Sequence, residues 1–309
     1  MSFLPLAESQ PKVMAVSASC AAAADSLQPL AAGITHWQPA DPGMGYGENL
    51  VSALMSGLDE IKPDLLLCPA LTDADSERRA LALACLEAAR RKNGPDCTWP
   101  KSTWDGQPLD PAGWELRKSG KLLDDLLAFG ETALLDSSLQ PARAKPPAEA
   151  PLVSVIVRSM DRASLARALA SIALQTYRPI ELVLVNAKGA AHSPWPAVKA
   201  DLMLKSVASG QGLPLARSRA ASSGLDAAQG DWALFLDDDD ELMPDHLSRL
   251  VRSGLQHPDA LAVYADVDMG HGVEGVWQQQ HRFAADFDPV RLLFENYLPI
   301  HAVLFRREV

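Results

Sequence analysis

The sequence lacks the cysteine patterns that cross-link small secreted domains or bind zinc. Its four cysteines are Cys20, Cys68, Cys85 and Cys97, all in the first third of the chain, and no two are spaced as Cys-x-x-Cys. Scattered thiols of this kind are typical of a reducing compartment. The sequence therefore predicts neither a disulfide framework nor a zinc site.

Long apolar runs are also missing. No run reaches the roughly 18 consecutive apolar residues that a membrane-spanning helix requires. The opening residues, MSFLPLAESQPKV, contain no basic region followed by an apolar run, which a secretory leader would have. We therefore expect a cytoplasmic protein, possessing at most a peripheral contact with the inner face of the membrane.

Basic charge is in short supply. The chain has 28 Lys and Arg against 39 Asp and Glu, for a formal net charge of -11. This balance argues against a nucleic-acid partner, which usually requires a basic face. The 48% hydrophobic and 22% charged composition is that of a globular protein, and 309 residues predict about two domains.

A Pro- and Ala-rich segment, SSLQPARAKPPAEAP at 137–151, divides two patterned regions. Its prolines exclude helix and favour an extended spacer. We predict an α/β domain at 1–136, a linker at 137–151 and a second domain at 152–309. In both regions short apolar runs alternate with helical patterns, which indicates open sheets with parallel strands.

The most informative stretch is WALFLDDDDELMP at 232–244, where an apolar strand runs into four aspartates. Alternation along a strand predicts that Asp237 and Asp239 point the same way. Carboxylates this close repel unless a cation or hydrogen bonds compensate. A hard divalent cation bound with substrate phosphates fits the pattern, whereas a solvated acidic turn is the plain alternative.

The second region resembles the inverting family 2 glycosyltransferases, which have the GT-A fold. Four segments carry the likeness in family order: VSVIVRSMDR (153–162), SLARALASIALQTYRPIELVLV (164–185), ARSRAASSGLDAAQGDWALFLDDDDELMPDHL (216–247) and NYLPIHAVLFRRE (296–308). The third, with its Ala-rich helix, Gly, strand and D-x-D, is the specific one. The resemblance covers about half the chain and implies a nucleotide-diphospho-sugar transferase sheet.

The resemblance also implies roles by position. Asp237 matches the first aspartate of D-x-D, near the donor ribose and diphosphate, and Asp239 matches the metal-coordinating aspartate. The implied metal ligands, for Mn²⁺ or Mg²⁺, are Asp239, Asp237 and Asp240. The implied donor-binding residues are Asp237, Asp238, Arg217, Arg219 and Asn186. His301 is a further candidate, with a structural role as its alternative.

Two departures from the family pattern bear on function. Where the family has two aspartates after its second strand, this chain has Asn186 and Ala187. Ala187 cannot pair with uracil as the second family aspartate commonly does, so we expect altered base recognition. The family's general base lies further along than Val309, so we expect that the sequence is truncated before the base. Asp286, Asp288 and Glu295 fit loop or cap roles.

The first region carries weaker signals. The loop DPGMGYGEN (41–49) has spaced glycines before a helix, which is more typical of a plain loop than of a phosphate cradle. The segment 63–84 faintly resembles the PIG-L type deacetylases. The first strand lacks the His and Asp of their metal motif, so the resemblance implies a scaffold or an acceptor-binding module.

These observations lead to one expected function and two alternatives. We expect a metal-dependent glycosyltransferase that moves a sugar from a nucleotide-diphosphate donor to a carbohydrate or lipid-linked acceptor hydroxyl, with inversion. The first alternative is a non-catalytic nucleotide-sugar-binding or scaffold protein that has lost its base. A nucleotidyltransferase ranks below both, because the loop SMDRAS at 159–164 has no glycine.

Overall fold

The apolar runs of the first half form one sheet, and those of the second half form another. A computed structural model describes residues 12–17, 34–41, 43–100, 114–273 and 276–308, so Cys20 lies outside the described residues. Contacts divide the chain into two units, one of residues 1–129 with 138–144 and one of residues 130–137 with 145–309.

The sheet of the first unit has the strand order β2-β1-β3-β4-β5. Its strands are β1 (Val13–Val16), β2 (Ile34–Trp37), β3 (Leu65–Leu67), β4 (Asp96–Pro100) and β5 (Trp114–Arg117). The first four strands run parallel to one another, and β5 runs antiparallel to β4. The helices are α1 (Glu48–Ile61), α2 (Ser76–Lys92) and α3 (Leu122–Leu135), the last having residues in both units.

Part of the predicted linker packs inside the first unit. The backbone N–H of Tyr46 donates to the carbonyl of Ala142 at 2.8 Å, and a side chain at Gly45 would collide with the backbone of Arg143. The glycine-rich loop therefore closes against 142–144, which accounts for Gly45 without a phosphate. The domain limits at 136 and 152 stay predictions.

The second unit contains a six-stranded sheet of order β10-β13-β9-β6-β7-β8 and a separate hairpin. The sheet strands are β6 (Val153–Ser159), β7 (Ile180–Asn186), β8 (Met203–Val207), β9 (Trp232–Asp237), β10 (Ala262–Tyr264) and β13 (Val303–Arg306). The hairpin pairs β11 (Val267–Val273) with β12 (Val276–Phe283). The helices are α4 (Leu165–Ala173), α5 (Arg217–Ala227), α6 (His246–Gln256) and α7 (Pro289–Leu292).

Helices cover both faces of this sheet, which is why its central strands are mostly apolar. Leu169 of α4 and Leu250 of α6 pack with Val155 on one face. Ala220 of α5 packs with Ile156 on the other. At Gly224 a side chain would meet Ile156 at 2.3 Å, so the missing side chain lets α5 approach the sheet closely. The predicted α/β class is confirmed.

Among the described residues, no helix combines the length and the apolar character needed to cross a bilayer.

Candidate functional site

The carboxyl ends of three parallel strands meet at one edge of the second sheet. The central strand β6 pairs with β7 on one side and with β9 on the other. The chain returns to the far side of β6 only after β7 and β8, so the strand order reverses here. Ligands of open α/β sheets bind outside the carboxyl ends of the strands at such a point.

The four aspartates form a turn and do not continue the strand. β9 ends at Asp237, and the N–H of Asp240 donates to the carbonyl of Asp237 at 3.2 Å. Asp239 therefore lies beyond the strand, and strand alternation, on which the predicted alignment of Asp237 with Asp239 rested, does not apply to it. The turn instead gathers Asp237, Asp239 and Asp240, each of which offers a carboxylate oxygen within 4.8 Å of the other two. We call these three residues the carboxylate cluster.

Asp237 lies between two arginines. Nη2 of Arg158, on the neighbouring strand, is 2.6 Å from Oδ1 of Asp237 in a close ionic contact. Nη2 of Arg217, the first residue of α5, is 3.6 Å from Oδ2. The Arg158 side chain is 5% exposed and that of Arg217 is 80% exposed. One cation is therefore buried with Asp237, and the other reaches it from solvent.

Asp238 is fully buried and faces the loop between β6 and α4. Its carboxylate accepts hydrogen bonds from the backbone N–H groups of Met160 at 2.6 Å and Arg162 at 3.3 Å. It also accepts from the Ser159 hydroxyl at 3.2 Å and from the Arg162 guanidinium. Asp238 thereby fixes the conformation of this loop. The predicted contact of Asp238 with the nucleotide-sugar donor would therefore have to share a carboxylate that already accepts hydrogen bonds within the protein.

Asp239 and Asp240 are the more accessible members of the cluster. Nη1 of Arg162 donates to Oδ1 of Asp239 at 3.1 Å. Nδ1 of His301, in the turn before β13, lies 3.0 Å from Oδ2 of Asp240. The structure therefore brings the candidate His301 to the carboxylate cluster.

A basic side chain accompanies every acid of the run 237–241. Beyond the contacts above, Arg167 of α4 forms an ion pair with Glu241 at 2.6 Å. Like charges at this density would otherwise raise the free energy of the folded state. The arginines supply compensating charge, and His301 places a ring nitrogen against Asp240.

The segment after the acidic run is tied to α4 by buried polar groups. The hydroxyl of Ser171 accepts from the N–H of Leu242 at 3.1 Å. The amide of Gln175 donates to the carbonyl of Met243 at 2.7 Å and accepts from the N–H of Leu247 at 3.0 Å. The spacing of Ser171 and Gln175 thus places both side chains against the segment 242–247. These contacts hold the preceding acidic turn in position.

Asn186 stands at the carboxyl end of β7, and its side chain serves the local loop. Its Nδ2 donates to the carbonyl of Gly189 at 3.0 Å, and its Oδ1 accepts from the Gly189 N–H at 2.8 Å. Ala187 is buried beside it. Arg219 is exposed on α5, two residues beyond Arg217. Two residues turn a helix by about 200°, so Arg219 points away from the side that meets Asp237.

A further ion pair joins the loops after β6 and β7. Lys188 Nζ is 2.7 Å from Asp161 Oδ2, which also accepts from the N–H and hydroxyl of Ser193 at 3.1 Å. The Lys188 hydrogen bond, followed by those of Ser193, lowers the pKa of Asp161 to about 2. His192 contacts the Ser159 hydroxyl at 2.9 Å. These contacts hold the two loops beside the carboxylate cluster.

Sequence reasoning missed Arg158 and Arg162. The signal was present in VSVIVRSMDR, where a charged residue ends an apolar strand. A charge in a buried strand requires a partner, and β9 supplies one.

Burial lowers the pKa of His246, beside His301, to about 4, so that its ring is neutral at pH 7.

Comparison with known proteins assigns the domain. Residues 154–307 match the model of Glycosyl transferase family 2. This half of the chain belongs to that family, which confirms the predicted GT-A type sheet.

Curated relatives match over about half of this chain. A PGL/p-HBAD biosynthesis glycosyltransferase of Mycobacterium tuberculosis is 32% identical over 166 residues, which is 51% of this chain and 60% of the relative. An uncharacterized glycosyltransferase, YwdF of Bacillus subtilis, is 27% identical over 154 residues, which is 48% of this chain and 55% of the relative. The matched region therefore spans little more than half the length of these relatives.

Solved structures give looser matches. S. aureus TarS 1-349 in complex with UDP-GlcNAc is 18% identical, with a TM-score of 0.36, over 50% of this chain and 45% of its own. The mannosyltransferase PcManGT from Pyrobaculum calidifontis, in complex with GDP-Man and Mn²⁺, is 19% identical, with a TM-score of 0.35, over 60% of this chain and 53% of its own.

Proposed function

We propose that the second unit is a metal-dependent glycosyltransferase domain that transfers a sugar from a nucleotide-diphosphate donor to an acceptor hydroxyl, with inversion. The observation that carries the proposal is the carboxylate cluster at the carboxyl end of β9, within the residues that match family 2. The partners would be a nucleotide sugar and a carbohydrate or lipid-linked acceptor, with contact to the membrane peripheral at most.

The chemistry of the cluster fits Mn²⁺ or Mg²⁺. Both are hard cations that take oxygen ligands and use few carboxylates together with substrate phosphates. The ion would be held by Asp239, by Asp240 and by Oδ2 of Asp237, the oxygen on the side away from the buried Arg158 contact. When bound, such an ion neutralises the diphosphate leaving group as a Lewis acid and fixes its position.

Basic groups suited to the diphosphate lie beside the cluster. Arg217 opens α5, whose preceding residue, Ala216, provides no side-chain cap for the first N–H groups. Uncapped N–H groups at a helix start favour an anion. Arg162 and Arg217 present planar guanidinium groups, which can bind phosphate through two parallel hydrogen bonds. These groups would orient the donor and stabilise its charge as the bond to the sugar breaks.

The general base is not assigned to a residue of this chain. Asp288 caps α7 by accepting from the N–H groups of Val290 and Arg291 at 2.9 and 3.0 Å. Glu295 forms an ion pair with Arg291 at 2.8 Å. Both carboxylates therefore have local roles, as the sequence predicts.

The test of the metal site is calorimetric. Mn²⁺ is titrated into the purified chain with and without UDP or GDP, because the phosphates complete the coordination shell and should tighten Mn²⁺ binding. Asp239→Ala should abolish this tightening, and Asp226→Asn, which removes an exposed carboxylate on α5, should retain it. Equal Mn²⁺ affinity in wild type and Asp239→Ala would reject the assignment.

Sugar transfer and stereochemistry require a second measurement. The chain is incubated with UDP- and GDP-sugars and an acceptor, and the anomeric configuration of any product is read by NMR. A product with the donor's configuration would contradict inversion. Binding of donor without transfer to any acceptor would favour the non-catalytic alternative.

A further inference from the structure

The cations that compensate the carboxylate cluster are of two kinds. Arg158 is buried, with its side chain 5% exposed, whereas Arg162 is 47% exposed and Arg217 is 80% exposed. A buried guanidinium cannot leave its carboxylate without a large loss of favourable interactions. The contact of Arg162 with Asp239 joins two side chains that are each about half exposed, and ion pairs of that kind are weak. The cluster therefore combines a fixed cation with displaceable ones.

The fixed cation points into the cluster with hydrogen-bonding capacity to spare. Nη2 of Arg158 lies 2.6 Å from Asp237, its guanidinium stands 5.6 Å from the Phe235 ring centre, and Nε has no hydrogen-bond partner among the described residues. Arg158 offsets charge on Asp237, whereas Asp239 and Asp240 are the more exposed members of the cluster.

Arg162 contacts the carboxylate of Asp239, a member of the cluster. Its Nη1 contacts both Asp238 and Asp239, and the Asp239 oxygen that it reaches is Oδ1, at 3.1 Å. The backbone N–H groups of Met160 and Arg162 hold Asp238 independently of the guanidinium. The Arg162 side chain can therefore leave Asp239 while the loop keeps its conformation.

We propose that Arg162 is a placeholder cation, which neutralises Asp239 in the free protein and moves to the donor diphosphate when metal and donor bind. The proposal rests on the proposed function of the site. It predicts that Mn²⁺ alone binds weakly, because it must displace Arg162. With a diphosphate present, the released guanidinium gains a new partner, so metal and diphosphate reinforce each other's binding.

The experiment compares Arg162→Gln with Arg167→Gln. Both variants remove one exposed arginine that is paired with an acid of the run, but Arg167 contacts Glu241, outside the cluster. Mn²⁺ affinity is measured by calorimetry with and without UDP or GDP. We expect Arg162→Gln to bind Mn²⁺ alone about two- to five-fold more tightly, as loss of a surface ion pair allows. Its diphosphate enhancement should fall by at least that factor, and Arg167→Gln should match wild type.

Arg162→Lys separates charge from shape. Lysine keeps the positive charge beside Asp239, so Mn²⁺ alone should bind as in wild type, whereas the loss of the planar fork should weaken the diphosphate enhancement. Circular dichroism confirms that each variant is folded.

Each outcome distinguishes the placeholder from the site itself. If wild type shows the enhancement but Arg162→Gln binds Mn²⁺ alone no more tightly, the placeholder role is overturned and the metal site stands. If Arg167→Gln tightens Mn²⁺ binding as much as Arg162→Gln does, the effect is one of net charge, and the placeholder role is again overturned. If neither wild type nor Arg162→Gln binds Mn²⁺ with or without diphosphate, both proposals fail.

Discussion

Arg158 and Asp237 face each other from neighbouring parallel strands, with Nη2 of the arginine 2.6 Å from Oδ1 of the aspartate. The register of β6 and β9 pairs these two residues directly. The ion pair therefore forms only when the strands are correctly aligned, and it places a charge at the inner end of an acidic turn.

Arg158→Met should destabilise the second unit. Methionine fills much of the same volume, but it leaves Oδ1 of Asp237 without its cation. We expect the free energy of unfolding to fall by about 1–3 kcal/mol. Chemical denaturation measures the change. The double variant with Asp237→Asn should recover part of the loss, because no lone charge remains. Additive losses in the two single variants would show that the residues do not interact.

Asp238→Asn tests whether the buried carboxylate of Asp238 fixes the conformation of the β6–α4 loop. The amide cannot accept from all of Met160 N–H, Arg162 N–H and the Arg162 guanidinium as the carboxylate does. Hydrogen bonds to a charged group contribute about 1.5–3 kcal/mol each, so we expect a loss of at least about 2 kcal/mol in the free energy of unfolding. Asp226→Asn is the control, since that carboxylate is exposed. Equal stability of both variants would mean that Asp238 does not hold the loop.

Asp161→Asn should reveal a pH-dependent contribution to stability. The pKa of Asp161 falls from an ordinary 3.8 to about 2 in the folded protein, mainly through the Lys188 hydrogen bond. A depressed pKa stabilises the fold above the ordinary value, and this stabilisation is lost as pH falls from about 4 towards 2. Wild type should therefore exceed Asp161→Asn in stability at pH 7 and converge towards it near pH 2. A difference that does not change with pH would argue against the ionic contact.

Nucleotide selectivity should be modest. Ala187 offers no side-chain acceptor to a base, and both polar atoms of Asn186 bind Gly189. Sites that do not hydrogen-bond a distinguishing group discriminate weakly, so the dissociation constants of UDP and GDP should differ by less than about 100-fold. Asn186→Ala should weaken both to the same extent by loosening the loop. An exclusive preference for one nucleotide, lost in Asn186→Ala, would show that Asn186 reads the base.

Sequence patterns predicted the class of the fold and indicated the acidic run as the candidate site, because both depend on local signals. Apolar runs that alternate with amphipathic stretches indicate an α/β sheet. The abrupt change from WALFL to four aspartates marks a strand end. The partners of those aspartates were not predictable in the same way, because Arg158 and Arg162 precede them by more than 70 residues and meet them only through the order of the strands.

The turn at Asp238 shows a second kind of limit. Four consecutive aspartates look alike in sequence, yet the structure buries Asp238 completely and leaves Asp239 half exposed. The difference arises where β9 ends, and strand ends are among the features that sequence patterns place least accurately. His301 was a candidate, but its contact with Asp240 depends on β13 pairing antiparallel with β9.

The pairing of β6 with β9 has a consequence for the order in which the protein is made and folded. Ser159 and Asp238, which meet at the site, are 79 residues apart in the chain. At a synthesis rate of about 5–20 residues per second, β6 is synthesised roughly 4–16 s before β9, the second strand that pairs with it. His301 joins later still, since β13 lies beyond β9. The acidic turn and its cations therefore come together only after nearly the whole second unit has been synthesised, and these distant pairings favour slow folding.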